Sequence, residues 1–481
     1  MVFHGSFIIK AMNKKIKHIS IFSVILLTVL SLSCQKTTKK ASDKNIDFQE
    51  IKERGELIVG ISSNSTDYFV YRGNPMGFQF EILTQFSERH NLKLKLLVEN
   101  DLETAYNYLN NQEIDIIAQN LTVTPERQKK LSFTNPIAQT RQVIVQRSYP
   151  FNKKDSAQHI KNQLELNGKT VYIQKNGAAY SRLQNIETEI AGDINIVEND
   201  SLEMEELIQL VADGIIDYAA CDENVAYINK SYYPNIDISV PISFSQNLAW
   251  AVREESQDLK DSINVWLTEY KETKEYQYIY HKYYRSSRAS QTKFSDFYSG
   301  GEGKISPYDA IIKNAAESIE WDWRLLASLI YQESQFKVDL KSWAGAFGIM
   351  QFMPSTAKFL GIDSNSSTEE QIYAGVKFIQ YIDKMVPETV TSKQERIKFI
   401  LAGYNIGFGH IQDAIKLAEK YGKNPNVWDN NVAYFLLQKS KPKYYQDEVV
   451  SSGYCKGRAT VKYVDEVIER YEHYCNLFPD C

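Results

Sequence analysis

The stretch Asp322-Trp323-Arg324-Leu325-Leu326-Ala327-Ser328-Leu329-Ile330-Tyr331-Gln332-Glu333-Ser334-Gln335-Phe336 reads as a helix whose apolar face carries an acid. Asp322 suits the N-cap, because its side-chain oxygen can accept from a first-turn N–H, and the pattern predicts a helix over Leu325–Phe336. Leu326, Ile330 and Glu333 are spaced i, i+4 and i+7, so the carboxyl shares a face with two aliphatic residues. Desolvation there disfavours the carboxylate, raises its pKa and keeps a deliverable proton near neutral pH. An isolated Glu at a helix end more often turns to solvent; the sequence that follows argues against that here.

Working outward, helical periodicity continues from about Ser306 to the end, and strand patterns vanish. Upstream, Ile51 to Arg288 alternates short β-rich runs with helical patterns. Strands are expected at Leu57–Ile61, Leu92–Val98, Ile114–Ala118, Gln142–Gln146, Thr170–Ile173, Ile194–Val197, Tyr218–Cys221 and Leu248–Val252, with a helix over Phe80–His90. The first block is therefore α/β and the second all-α. Between them, residues 289–305 form a polar, Gly- and Ser-bearing join. A length of 481 residues fits several domain-sized units, and 43% apolar residues with 31 Tyr and 22 Phe exclude a disordered or fibrous chain. The 55 basic residues against 60 acidic ones offer no cationic field for a nucleic-acid backbone.

The chain begins with an export signal: Lys14, Lys15, Lys17 and His18, then an apolar run from Ile19 to Leu32. That run is short of the roughly 20 residues that span a bilayer. Translation is expected to start at Met12. Leu30-Ser31-Leu32-Ser33-Cys34 resembles a bacterial lipobox, with Ser31 where Leu is usual, and implies lipidation of Cys34. The expected organisation is a signal peptide over 1–33, a lipidated polar tether over 34–48, a first domain over 49–288, the join over 289–305 and a second domain over 306–481. In an oxidising compartment Cys455, Cys475 and Cys481 could supply one disulfide, with the pairing open, and Cys221 reads as a buried small residue. No His/Cys spacing suggests a metal site.

In the second block, Glu333-Ser334-Gln335-Phe336, Ser342 to Ala357, Gly403-Tyr404-Asn405-Ile406-Gly407 and Tyr463-Val464 occur in the order of the catalytic motifs of soluble-type lytic transglycosylases, which this block resembles. The resemblance implies a helical lysozyme-like domain with a glycan groove and Glu333 as the single acid/base. It implies further that Met350 and Gln351 line the groove, that Tyr404, Asn405 and Tyr463 bind substrate, and that Ser334 orients the Glu or a substrate acetamide. Gly403 replaces the family's alanine.

In the first block, Glu53 to Gly60, Gly77 to Ile82 and Asn120 to Arg127 resemble family 3 periplasmic solute-binding proteins. Two α/β lobes are implied, joined by strands crossing near Arg141–Arg147 and Leu248–Arg253. Arg127 offers a planar fork for a carboxylate, with Asn120 and Thr122 supplying neutral hydrogen bonds; by the resemblance Asp222 holds the ligand's amino group. Ala178 stands where relatives often carry a hydroxyl, so a murein-derived peptide or other carboxylate-bearing ligand fits better than an ordinary free amino acid.

Ordinary glycoside hydrolysis uses two carboxyl groups, yet Ser342 to Ala357 contains no acidic residue. The family solution is a lyase: Glu333 protonates the bond between N-acetylmuramic acid and N-acetylglucosamine, then takes the C6 hydroxyl proton as that oxygen closes on C1. The combination resembles membrane-bound lytic transglycosylases that carry both domains. It implies peptidoglycan strands as substrate, attachment to the outer membrane facing the periplasm, and no metal or nucleotide cofactor.

Overall fold

The computed structural model describes residues 46–148, 159–285, 295, 297–299 and 304–479. The signal peptide, Cys34, most of the tether, most of the join and Cys481 lie outside the described residues. The expected tether ends early: Asp47 caps a helix over Phe48–Arg54, its carboxylate and that of Glu50 forming a capping box. From Asp47 onward the chain forms one unit.

The first lobe is a five-stranded sheet in the order Lys93–Val98, Glu56–Ile61, Ile116–Ile117, Ala251–Val252, Ser132–Phe133. The second is a five-stranded sheet in the order Asn195–Asn199, Thr170–Gln174, Tyr218–Asp222, Gln142–Arg147, Ile236–Pro241. The crossing lies slightly earlier on both strands than expected, where Ala138–Thr140 pairs antiparallel with Gln246–Leu248. Gln142–Arg147 instead belongs to the second sheet: five of its six residues are buried, as for a strand covered on both faces. Cys221 is buried in that sheet, as its neighbours suggested.

The second domain is helical and packs around Trp323–Ser334, which is buried at nearly every position from Trp323 to Tyr331. Asp322 caps it through the Arg324 N–H. This helix stops two residues before the expected end, because Gln335 and Phe336 take left-handed φ values of 53° and 60°. The turn tucks Phe336 against Tyr331 and Phe297; burial of the ring outweighs a left-handed penalty of about 1–2 kcal/mol per residue. The long C-terminal helix, Gly457–Leu477, lies against it. Among the described residues no helix is long and apolar enough to cross a membrane.

The join is more than a polar connection. Tyr298–Ser299 adds a third strand to the hairpin Phe69–Tyr71/Asn74–Met76 of the first domain, pairing Tyr298 with Tyr71. Val70 of that hairpin lies in the helical domain's core. At its tip, Asn74 Nδ2 donates to Tyr331 Oη at 3.1 Å and the Gly73 carbonyl accepts from Arg470 Nε at 3.0 Å. Gly73 has φ +67°, and a Cβ there would fall 2.6 Å from the Tyr331 ring. Tyr68 Oη and His473 Nδ1 meet at 2.8 Å across the same boundary. The hairpin thus grips both the Trp323–Ser334 helix and the C-terminal helix.

Candidate functional site

Leu326 and Ile330 are fully buried, and one turn further along Glu333 reaches a partly buried position on the same side of the helix. Burial pushes its carboxyl up from 4.5 to about 7, opposed by the hydrogen bond that Tyr463 donates to Glu333 Oε1. No other carboxylate is among the causes of that shift. Tyr463 is itself buried, and that burial, with the Glu333 charge behind it, holds its phenol protonated. The acid therefore keeps its proton in a large share of molecules near neutral pH, with one neutral donor ready to steady the carboxylate once the proton leaves.

Tyr404 shares this electrostatic neighbourhood: burial, and then the Glu333 charge, raise its pKa. Its hydroxyl donates to the Met350 carbonyl at 3.0 Å, which ties the Lys393–Ile406 helix to the Gly348–Phe352 turn. Asn405, next along, is exposed, and the Thr460 hydroxyl donates to its Oδ1 at 2.7 Å. Gln351 takes a left-handed φ of 50°, and its Nε2 donates to the Leu340 and Gly348 carbonyls at 3.0 and 2.8 Å, locking the turn. An Ala Cβ at Gly403 would lie 2.9 Å from Phe408 and 3.0 Å from Ile382, so those side chains occupy the space of the missing methyl.

Two expectations are corrected. The Ser334 side chain is buried and its hydroxyl donates to its own helix's Ile330 carbonyl at 3.2 Å, so it neither orients Glu333 nor faces a groove. The Met350 side chain is fully buried, lying against Gly375, so only its backbone carbonyl serves the site, through Tyr404. Thr460 was missed: a lone Thr carries no local signal, and only the fold brings it to Asn405, 55 residues away.

In the first domain the expected ligand residues converge across the crossing strands. Arg127 donates through one terminal nitrogen to the Thr122 carbonyl at 2.8 Å and through the other to the Asn176 carbonyl of the second lobe at 3.0 Å. Asp222 accepts from Gln142 Nε2 and, at 3.5 Å, from the Thr122 hydroxyl. Burial raises Asp222 to about 6, with the Arg127 charge opposing the rise. Asn120 Oδ1 accepts from Asn224 Nδ2 at 3.3 Å, and its N–H donates to Asp67 at 3.1 Å. Asp67, not anticipated from sequence, is fully buried and raised by that burial to about 7. Ser65 donates to Glu205, and Asn100 to Glu203 at 3.2 Å, so the two lobes are bonded directly to each other. The helix Ala179–Glu189 begins at Ala178 without a side-chain cap, as the missing hydroxyl suggested. Among the described residues, no group of three or more His, Cys, Asp or Glu could hold a metal ion. Cys455 is a buried thiol outside any disulfide.

Comparison with known proteins finds two families along the chain. Residues 57–286 match the family described as bacterial extracellular solute-binding proteins, family 3, and residues 310–427 match the transglycosylase SLT domain. The chain is similar to proteins named membrane-bound lytic murein transglycosylase F from Desulfosudis oleivorans and Saccharophagus degradans. Each is 29% identical; the alignments cover 88% and 87% of this chain and 90% and 82% of the relatives. Among solved structures, holo ArgBP from T. maritima aligns at 28% identity with a TM-score of 0.40, over 49% of this chain and 98% of that one.

Proposed function

We infer that this chain, a family 3 solute-binding domain fused to a transglycosylase SLT domain, is a peptidoglycan lytic transglycosylase whose first domain is a ligand-binding module. The observation that carries the catalytic reading is Glu333: a desolvated carboxyl raised to about 7 and partnered by the Tyr463 hydroxyl.

Glu333 protonates the oxygen leaving from the muramic C1, and in the low-dielectric site the proton transfer restores a charge that Tyr463 can stabilise. Ser342 to Ala357 holds no acidic residue to act as nucleophile or to activate water, so the 2-acetamido oxygen of the muramic residue shields the positive centre. The ionised Glu333 then accepts the C6 hydroxyl proton, the oxygen closes on C1, and a 1,6-anhydro end is left. The reaction consumes no water and regenerates the acid. Gln351, Tyr404, Asn405 and Tyr463 contribute the surrounding wall, with the Gln351 and Tyr404 hydrogen bonds fixing its turn and helix.

For the first domain we propose a carboxylate- and amine-bearing ligand, amino-acid-like or a murein-derived peptide, read by Arg127, Asp222, Asn120 and Thr122. The domains are assigned to 49–288 and 306–481, joined by 289–305, with export by residues 1–33 and a lipid on Cys34 holding the tether to the outer membrane at its periplasmic face.

The test is digestion of purified sacculi followed by mass spectrometry. Products lighter by one water than reducing-end muropeptides support the lyase. Reducing ends would make the protein a lysozyme-like hydrolase, and binding without cleavage would make it a non-enzymatic glycan-binding protein.

A further inference from the structure

The C-terminal helix Gly457–Leu477 brings two side chains to the site from one of its faces. Tyr463 reaches Glu333, and Thr460, three positions earlier and so on the same side, reaches Asn405. Thr460 is only 1% exposed. A buried hydroxyl inside a helix can turn back onto the carbonyl four residues earlier, as Ser334 does. Thr460 instead donates across to Asn405 Oδ1 at 2.7 Å, on the last turn of the helix Lys393–Ile406.

The backbone is held at both ends of that hydrogen bond. Gly457 opens the C-terminal helix so close to the helix Ala433–Gln438 that a Cβ there would fall 2.3 Å from the Leu436 carbonyl oxygen, so the turn that carries Thr460 is pressed into place. On the other side the Asn405 backbone is fixed by its neighbour Tyr404, whose hydroxyl is bonded to the Met350 carbonyl. Neither anchor fixes the Asn405 side chain. It is exposed, and the broad twofold preference of an Asn χ2 lets its oxygen and nitrogen exchange places. The Thr460 bond removes that freedom by holding Oδ1 against the protein. The amide nitrogen has no hydrogen-bond partner among the described residues, so it is left as a donor on an exposed residue beside Tyr404.

We propose that Thr460 is a positioning residue for substrate binding: it sets the Asn405 amide with its nitrogen toward the groove, ready to donate to an acceptor oxygen of the glycan. This rests on the reading that the groove at Glu333 takes a glycan strand and that Asn405 binds it. Ordering a side chain on association weakens binding, and a side chain already ordered avoids that loss. The Thr460 bond involves no reacting atom, so KM carries its effect and kcat does not.

The experiment measures the kinetics of the full chain on purified sacculi for wild type, Thr460→Val, Thr460→Ser, Asn405→Ala, Asn405→Asp and the Thr460→Val/Asn405→Ala double variant. Thr460→Val should raise KM roughly three- to tenfold, the scale of one hydrogen bond, with kcat and the pH–rate profile unchanged. Thr460→Ser, which keeps the hydroxyl, should restore wild-type KM. In the Asn405→Ala background Thr460→Val should add nothing, because no amide is left to orient. Asn405→Asp still accepts from Thr460 but puts an oxygen where the nitrogen was, so its KM should rise at least as far as that of Asn405→Ala. Wild-type KM in Thr460→Val or in Asn405→Asp would overturn the proposal, as would an equal loss from Thr460→Val with and without Asn405. A fall in kcat with a displaced alkaline limb would also overturn it, since Thr460 would then act through Tyr463. If Thr460→Val melts early, the pair Thr460→Ser and Thr460→Ala, which differ by one hydroxyl, carries the same comparison. Absence of any anhydro product from wild type would instead defeat the catalytic reading, which separates the two failures.

Discussion

Replacing Glu333 by Gln tests both halves of the argument about the acid, its chemistry and its environment. The amide keeps the shape and an oxygen that can accept from Tyr463, so the wall of the site should stay in place, but it has no proton to give. With one residue serving as both acid and base, kcat should fall by about 10³-fold or more. The same change should stabilise the protein, with a defined pH dependence. Holding the carboxyl at about 7 instead of 4.5 means that ionising it in the folded chain costs about 3 kcal/mol more than in the unfolded chain. The folded state retains the proton over that window while the unfolded state has lost it. The contribution of Glu333 to wild-type stability should therefore be greatest below pH 4.5, decline as pH rises to about 7, and level off above. E333Q lacks this contribution, while the raised Asp67 and Asp222 affect both proteins alike. In thermal melts followed by circular dichroism, the variant's advantage should be small at pH 5 and grow by roughly 5 °C by pH 8. An advantage that is the same at both pH values would refute a desolvated, proton-bearing Glu333, and activity within tenfold of wild type would refute its role as the acid.

Tyr463→Phe removes the one hydrogen bond that favours the Glu333 carboxylate, so the alkaline limb of the pH–rate profile should move to higher pH while kcat falls about tenfold; an unmoved limb would break the link. Lys439 is fully buried and bonded to Asp413 Oδ2 at 2.6 Å and His410 Nδ1 at 3.1 Å, and Asp413 also accepts from the Ser451 and Ser452 N–H groups. Lys439→Met should leave a buried charge unpaired and cost about 3–5 kcal/mol in urea unfolding, without altering the product. Gly73→Ala places a methyl against the Tyr331 ring in a left-handed turn and should loosen the hairpin's grip, separating the melting of the two domains in calorimetry; a single transition at the wild-type temperature would refute that.

How much of this was legible in the chain follows from where each signal resides. The alternation of short apolar runs with helical patterns up to about Arg288, and its loss after Ser306, is local information, set by periods of 2 and 3.6 residues, and it gave the two fold classes. The burial of Glu333 was legible for the same reason: Leu326 and Ile330 on its face need only helix geometry. Local signals fail where an element's ends depend on distant packing. The crossing strands were displaced because Gln142–Arg147 is apolar enough for a core strand, and Tyr298–Ser299 became a strand only because the Phe69–Tyr71 edge was there to pair with.

The sequence by itself determined that an acid would sit among aliphatic residues, which neighbours three and seven positions away dictate. Only the tertiary structure decided what would touch it: Tyr463 comes from 130 residues along the chain, while Ser334, beside Glu333 in sequence, turns its hydroxyl back onto Ile330. Adjacent residues on a helix point about 100° apart, so proximity along the chain separates side chains that long-range packing is free to bring together.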